Sequence, residues 1–249
     1  PSDLRGQDAG ARIDTALGHG ILVRRCNGIT IRGGLIGGYK GCIVIEDSSD
    51  VTIEGVRFDG WYGQRLKSTE FAEDTTDWLS PHENDRGEWL EEYGAAISAT
   101  NCRGLEVRGC RGRRGQNGVL LTRSDDCQVY DNDFSFLSGW GLGMYRSSEC
   151  VVSHNVFDYC VRGYSHGSYW RGQDSAGILM FEGCSKNLVI RNYVARERLP
   201  VGQLYILKKG MCVKMWRFLG VRRVWGEDII LDSPELIDHA QAVALTYVE

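Results

Sequence analysis

No run of eighteen uncharged apolar residues occurs in this sequence, so no membrane-crossing helix can be drawn. There is no basic excess either: 29 Lys and Arg stand against 33 Asp and Glu, a net charge of -4. A protein held to nucleic acid mainly by phosphate neutralisation is thereby excluded. Proline is scarce, at 4 residues. The start, Pro1-Ser2-Asp3, has neither an initiator Met nor an apolar signal region, as expected of a processed or excised chain. What is present is ordinary for a folded protein, with 42% hydrophobic and 25% charged residues over 249 positions, which excludes a disordered chain. That length suffices for one cored domain or two small ones.

Nine cysteines are present, yet none forms a CxxC pair and no His spacing suits zinc. A cysteine metal site is therefore not expected, and the odd count argues against a complete disulfide framework. The reading that remains is a set of small core and turn fillers. Cys127 and Cys150 are expected to stack as free thiols in adjacent repeats.

A repeat organises the first 195 residues. Residues 29–33 (ITIRG) are echoed at 51–55 (VTIEG), 105–109 (LEVRG), 128–132 (QVYDN), 151–155 (VVSHN) and 188–192 (LVIRN). The closing Gly or Asn recurs at spacings of 22 and 23, with two longer gaps that hold insertions. Gly and Asn enter the left-handed region at least cost, so a bend is predicted there in every unit. An apolar strand precedes it (21–23, 43–45, 95–97, 119–121, 142–144, 178–180) and a third follows it. Three short strands in about 23 residues describe one coil of a parallel β-helix, which buries a continuous column only by stacking. A leucine-rich repeat has a similar period but needs an LxxLxLxxN pattern that no unit carries.

The Asn/Gly column after the second strand resembles that of the right-handed parallel β-helix superfamily of pectate-lyase-like proteins, over residues 18 to about 195. The resemblance implies an all-β solenoid of about six coils and an extracytoplasmic location. It also implies a polysaccharide or oligosaccharide partner, with substrate lying along the sheet of first strands. Within that superfamily lie lyases, hydrolases, epimerases and non-catalytic proteins, so activity must be argued from the site.

The domain reading is a β-helix over 1–195, interrupted at 64–93 and 160–175, followed by a cap or extension over 196–249. The first insertion carries nine acidic residues against three basic ones. Residues 196–225 hold eight basic residues against one acidic, Glu197. At the end of the chain Ser233 and Pro234 can start a short helix, with Leu236, Ala240, Val243 and Tyr247 along one face. A β-helix needs its open ends covered, which gives this tail a capping role. The abrupt stop of the repeat also fits a piece of a longer solenoid.

Strand alternation places Glu46, Ser98, Thr122, Tyr145 and Phe181 outward as one column, followed by Asp47, Ala99, Arg123, Arg146 and Glu182 at the next turn. Arg123 and Arg146 then sit in consecutive coils, either as an ion-pair ladder with Glu182 or as a floor for uronate carboxylates. Arg162, Tyr164, His166, Trp170, Arg171 and Asp174 would overhang this floor from the second insertion. Tyr145, Tyr164 or His166 could move a proton in β-elimination or C5 epimerisation while Arg123, Arg146, Arg162 or Arg171 binds the carboxylate. Glycoside hydrolysis would use Asp174 with Glu182. A non-catalytic glycan-binding or structural β-helix, with Trp61, Trp140 and Trp170 as sugar platforms, is the other reading. Acidic side chains could hold calcium, though no ligand loop of recognisable spacing occurs. No nucleic acid and no membrane insertion are expected, and oligomeric state is not legible.

Overall fold

The structure, a computed structural model, describes residues 3–5, 17–62, 93–160, 177–181, 183–195, 203–208, 211–217, 229–231 and 240–245. The chain is a right-handed parallel β-helix of six consecutive coils. The first strands are His19–Arg24, Gly41–Glu46, Ala95–Thr100, Asn117–Thr122, Leu142–Tyr145 and Ile178–Phe181. The second strands run from Thr30–Arg32 to Asn187–Ile190, and the third from Leu35–Gly37 to Tyr193–Ala195. Each set stacks into its own parallel sheet, and Val119, Leu120 and Leu121 pair in register with Leu142, Gly143 and Met144. Asp3–Arg5 adds one more parallel strand, against Leu35–Gly37.

Period-2 alternation turns one side chain in two toward the axis. Ile43, Ile97, Val119, Leu142 and Ile178 form one inward column and Ile53, Val107, Val129, Val152 and Val189 another, none more than 4% exposed. Phe58, Phe134 and Phe157 fill the third corner, with Phe58 and Phe134 ring centroids 6.0 Å apart. Gly112 lies between them in register, where an added Cβ would come 2.4 Å from the Phe134 ring. That glycine is there because two phenylalanines close over it.

The repeat differs from its sequence reading by one residue in the later coils. Thr52 pairs through Glu106 with Gln128, so Gly33, Gly55 and Gly109 align with Asp131, His154 and Arg191. These six share positive φ values, between 54° and 64°. Asn132, Asn155 and Asn192 occupy the next position and are buried. Their amides form a ladder: Asn132 Nδ2 donates to Asn155 Oδ1 at 2.9 Å and to the Val107 carbonyl at 2.9 Å, and Asn155 Nδ2 repeats this with Asn192 (2.9 Å) and Val129 (2.8 Å). Asparagine is selected here for its amide rather than for a left-handed backbone.

The cysteines have the same kind of explanation. Cys26, Ser48, Cys102, Ser124, Ser147 and Cys184 fall in one column after the first strand. Ser124 Oγ accepts the Cys102 N–H at 3.1 Å and donates to the Thr122 carbonyl, while Cys102 Sγ donates to the Thr100 carbonyl at 3.3 Å. Ser147 N–H in turn donates to Cys184 Sγ at 3.4 Å. Cysteine and serine are thus interchangeable rungs. Cys127 and Cys150 occupy adjacent coils as free thiols, and Cys110 takes the asparagine position in its own coil. Burial pushes the Cys42, Cys102 and Cys110 thiols up, Cys110 to about 11, and the bond to Cys150 together with burial does so for Cys127.

Alkylation mapped by mass spectrometry should therefore find Cys26, which is half-buried, modified well before Cys42, Cys110, Cys127 and Cys150 in the native protein. Equal rates at all five would sink the ladder reading. Because the buried Cys110 keeps its proton above the 9.0 at which the unfolded chain sheds it, its contribution to stability is full below that pH and is lost as pH rises from there through the folded value of about 11.

The expected terminal helix is not formed over Ala240–Leu245. That segment is a strand, antiparallel to Ile178–Phe181 on the first sheet, and Gln203–Lys208 and Met211–Arg217 continue the sheet beyond it. Ile229–Leu231 likewise pairs antiparallel with Asn187–Ile190. The last coil presents unpaired backbone groups, and satisfying them outweighs a marginal helix propensity.

Candidate functional site

The outer face of the first sheet is open over the first three coils and closed over the next three. Leu120, Thr122, Tyr145 and Leu179 lie on that face with no more than 2% exposure. Over the earlier coils a groove of about 450 Å³ runs the width of the sheet, from His19, Lys40 and Tyr93 at one edge past Ser98 to Glu46 and Thr100 at the other. It meets a second hollow of about 670 Å³ around the following turn, and Asp47 and Asn101 line both.

The register places the turn residues. Glu46 pairs with Thr100, and Thr100 with Thr122, so Thr100 rather than Ser98 belongs to the Thr122 and Tyr145 column, and Asn101 rather than Ala99 precedes Arg123. Ser98 also faces outward, one pleat earlier, whereas Ala99 is buried in the core. Arg25, Asp47, Asn101, Arg123 and Arg146 each hold a positive φ of 47° to 54° at the turn. They are linked across coils: Asn101 Nδ2 donates to Asp47 Oδ1 at 3.1 Å and Arg123 Nε donates to Asn101 Oδ1 at 2.9 Å. One residue before, Arg24 and Glu46 pair at 2.5 Å, a bond that raises the Arg24 guanidinium further.

Of the residues expected from sequence, Arg123 and Arg146 do occupy consecutive turns. Tyr145 does not offer an open hydroxyl on the groove floor: it is 1% exposed, and the Arg146 guanidinium lies 4.9 Å from its ring centroid. Trp61 and Trp140 are buried at 0% and 2% rather than presented as sugar platforms. Trp61 Nε1 donates to the Asn117 carbonyl at 3.1 Å, and Trp140 packs edge-on against Tyr93. Arg162, Tyr164, His166, Trp170, Arg171, Asp174 and Glu182 lie outside the described residues. The sequence reading missed Arg25, Asn101 and Lys40. Aligning the charged ends of the first strands, Arg24 with Glu46, would have found Arg25.

A second polar network covers the outer face of the second sheet. Glu54 pairs with Arg32 at 2.8 Å and with Arg108 at 3.2 Å, and the Tyr130 hydroxyl donates to Glu106. That carboxylate holds the Tyr130 hydroxyl above its usual range. These bonds tie neighbouring coils.

Fold and groove together define an all-β solenoid that presents a fixed polar surface along stacked coils. The family model described as "Periplasmic copper-binding protein (NosD)" matches residues 7–201, and the chain belongs to that family. Its location is extracytoplasmic, as the family is periplasmic. The comparison with curated proteins gave no match. No helix among the described residues is long and apolar enough to cross a membrane.

The family's description raises the question of copper. Among the described residues no three of His, Cys, Asp and Glu converge as a metal set. The Cys102, Cys110 and Cys127 thiols donate to backbone carbonyls and their surroundings push them up, which opposes the thiolate copper would bind, and the thioethers of Met144 and Met180, which copper also accepts, are buried in the core. The described residues do not fit copper.

Proposed function

We propose that this protein is a non-catalytic extracytoplasmic β-helix that binds an extended, hydroxyl-rich glycan across the outer face of its first three coils. The observation that carries this reading is the groove shared by Asp47 and Asn101, whose side chains are cross-bonded from coil to coil. Such a surface loses little side-chain entropy when a ligand arrives. Ser98, Thr100 and Glu46 supply donors and acceptors for sugar hydroxyls, and Arg25 and Arg123 at the turn suit a carboxylate or sulfate on the same chain. A uronate lyase or epimerase is less well supported, since Tyr145, one of its proton-transfer candidates, is buried.

Calorimetry with neutral and acidic oligosaccharides tests the proposal. Arg123→Ala should weaken binding of polygalacturonate oligosaccharides by about tenfold. The thermal midpoint should barely move, because Arg123 is exposed. Unsaturated uronate products accumulating in the ultraviolet during incubation would overturn the non-catalytic reading, and no binding of any oligosaccharide would overturn the glycan.

A further inference from the structure

The hollow of about 670 Å³ at the turn after the first strand is lined by three arginines, Arg25 from the first coil, Arg103 from the third and Arg123 from the fourth. Arg24, Arg32 and Arg114 show what an arginine on this solenoid does when a carboxylate faces it: they pair with Glu46, Glu54 and Asp59 at 2.5, 2.8 and 2.6 Å. The three in the hollow are not neutralised in this way. The Arg25 guanidinium meets no carboxylate within ion-pair distance among the described residues. Arg103 comes no closer than 3.8 Å to Asp126, and both side chains are more than half exposed. Arg123 donates its Nε to the neutral amide oxygen of Asn101 at 2.9 Å, which leaves its two terminal nitrogens unbonded among the described residues.

Acceptors in the hollow are engaged from within. Asp47 Oδ1 accepts the Asn101 amide at 3.1 Å, Asp125 Oδ1 accepts the Ser148 N–H at 2.8 Å, and Ser49 Oγ accepts Asn27 Nδ2 at 2.5 Å. Three guanidiniums thus stand against two carboxylates, each carboxylate bonded to a neighbouring coil. Asn101 is the pivot between the two signs. Its amide gives an N–H to Asp47 and an oxygen to Arg123, so it holds that guanidinium in place while leaving the charge uncompensated.

The arginines are spread along the axis instead of converging on one point. With strands stacked at about 4.8 Å, the backbones of Arg25 and Arg103 lie roughly 10 Å apart and those of Arg25 and Arg123 roughly 14 Å. No single oxyanion spans that interval, whereas charged groups on successive sugars do. The geometry points to an anion subsite in this hollow for a polyanionic glycan, one that carries carboxylates or sulfates on successive sugars and sets them along the solenoid axis against Arg25, Arg103 and Arg123. Guanidinium forks suit such oxyanions, and Asn101 is the positioning residue for Arg123. This inference rests on the glycan reading of the groove, which opens into the hollow at Asp47 and Asn101, and it makes charge density the selected feature.

Calorimetry on the full chain with matched pairs that differ in charge tests it: a galacturonate hexamer with its methyl ester, and dextran sulfate with dextran. The wild-type protein should bind the charged member of a pair about tenfold tighter or more, and the pair with the larger gap identifies the anion. Arg25→Ala and Arg103→Ala should each reduce that preference by about threefold, and more at low salt. Asn101→Asp should reduce it too, because the new carboxylate pairs with Arg123, while the uncharged members bind every variant as they bind wild type. Equal affinity for charged and uncharged members would overturn the subsite and leave the groove standing. A preference unchanged in Arg25→Ala and Arg103→Ala would overturn it as well, and if alanine prevented folding, an unchanged preference in Arg25→Gln and Arg103→Gln would do the same. Galacturonate monomer bound as tightly as the hexamer would overturn the extended layout. A wild-type protein that binds none of the four would overturn subsite and groove together.

Discussion

Asn155→Ala is expected to lower the thermal midpoint by roughly 10 °C. The side chain is 1% exposed and carries one rung of the amide ladder. Its Oδ1 accepts the Asn132 backbone N–H at 3.1 Å and the Asn132 Nδ2 at 2.9 Å, and its own Nδ2 donates to the Val129 carbonyl at 2.8 Å. Alanine leaves those three groups buried without these partners. At about 1–3 kcal/mol for each buried group stranded, partial relaxation leaves a net loss of about 3–5 kcal/mol. At about 2–4 °C per kcal/mol for a chain of this size, the midpoint falls by the stated amount. Circular dichroism melting checks it, and a midpoint within about 3 °C of wild type would show that water or a local shift replaces the amide.

Gly115→Ala should be comparably damaging for a steric reason. A Cβ at this position would lie 1.9, 2.1 and 2.4 Å from atoms of the Trp61 ring, which is fully buried and tied to the Asn117 carbonyl. The indole cannot withdraw without disturbing Phe58, whose centroid is 6.4 Å away, so the overpacking cost is at or above the usual 1–3 kcal/mol. Gly55→Ala is the control. Its Cβ would meet nothing within 4 Å, and only the φ of +62° is unfavourable to alanine. Unfolding in denaturant should rank Gly115→Ala well below Gly55→Ala in stability, and the reverse order would show that backbone conformation outweighs packing in this solenoid.

The period of the solenoid was legible because strand, bend and strand recur at nearly fixed spacing and the stacked strands demand it. The alignment within that period was less legible. Gly and Asn look equivalent to a local reading, since both tolerate the left-handed region. Here Asp131, His154 and Arg191 take that conformation because the coil imposes it, which frees the following asparagines for the ladder. The third coil was misread for a different reason: Ala95–Thr100 follows a long insertion, so no neighbouring spacing anchored Ser98 against Thr100. Alternation also gives the direction of a side chain but not what lies over it. Tyr145 faces outward as expected and is buried all the same.

The asparagine and serine ladders give the molecule a fixed graduation. Interior rungs accept from one coil and donate to the next, so coils can be gained or lost only whole, whether of 22 or 23 residues or longer where a loop is inserted, if the bonds are to close again. The turn residues of the proposed groove come from successive coils: Asp47 from the second, Asn101 from the third and Arg123 from the fourth. A duplication of one coil between Asn101 and Arg123 would move those contacts apart by one strand spacing, about 4.8 Å, without altering any side chain. The distance between binding points is thus a heritable length set by counting coils, and it can change while the chemistry of each point stays the same.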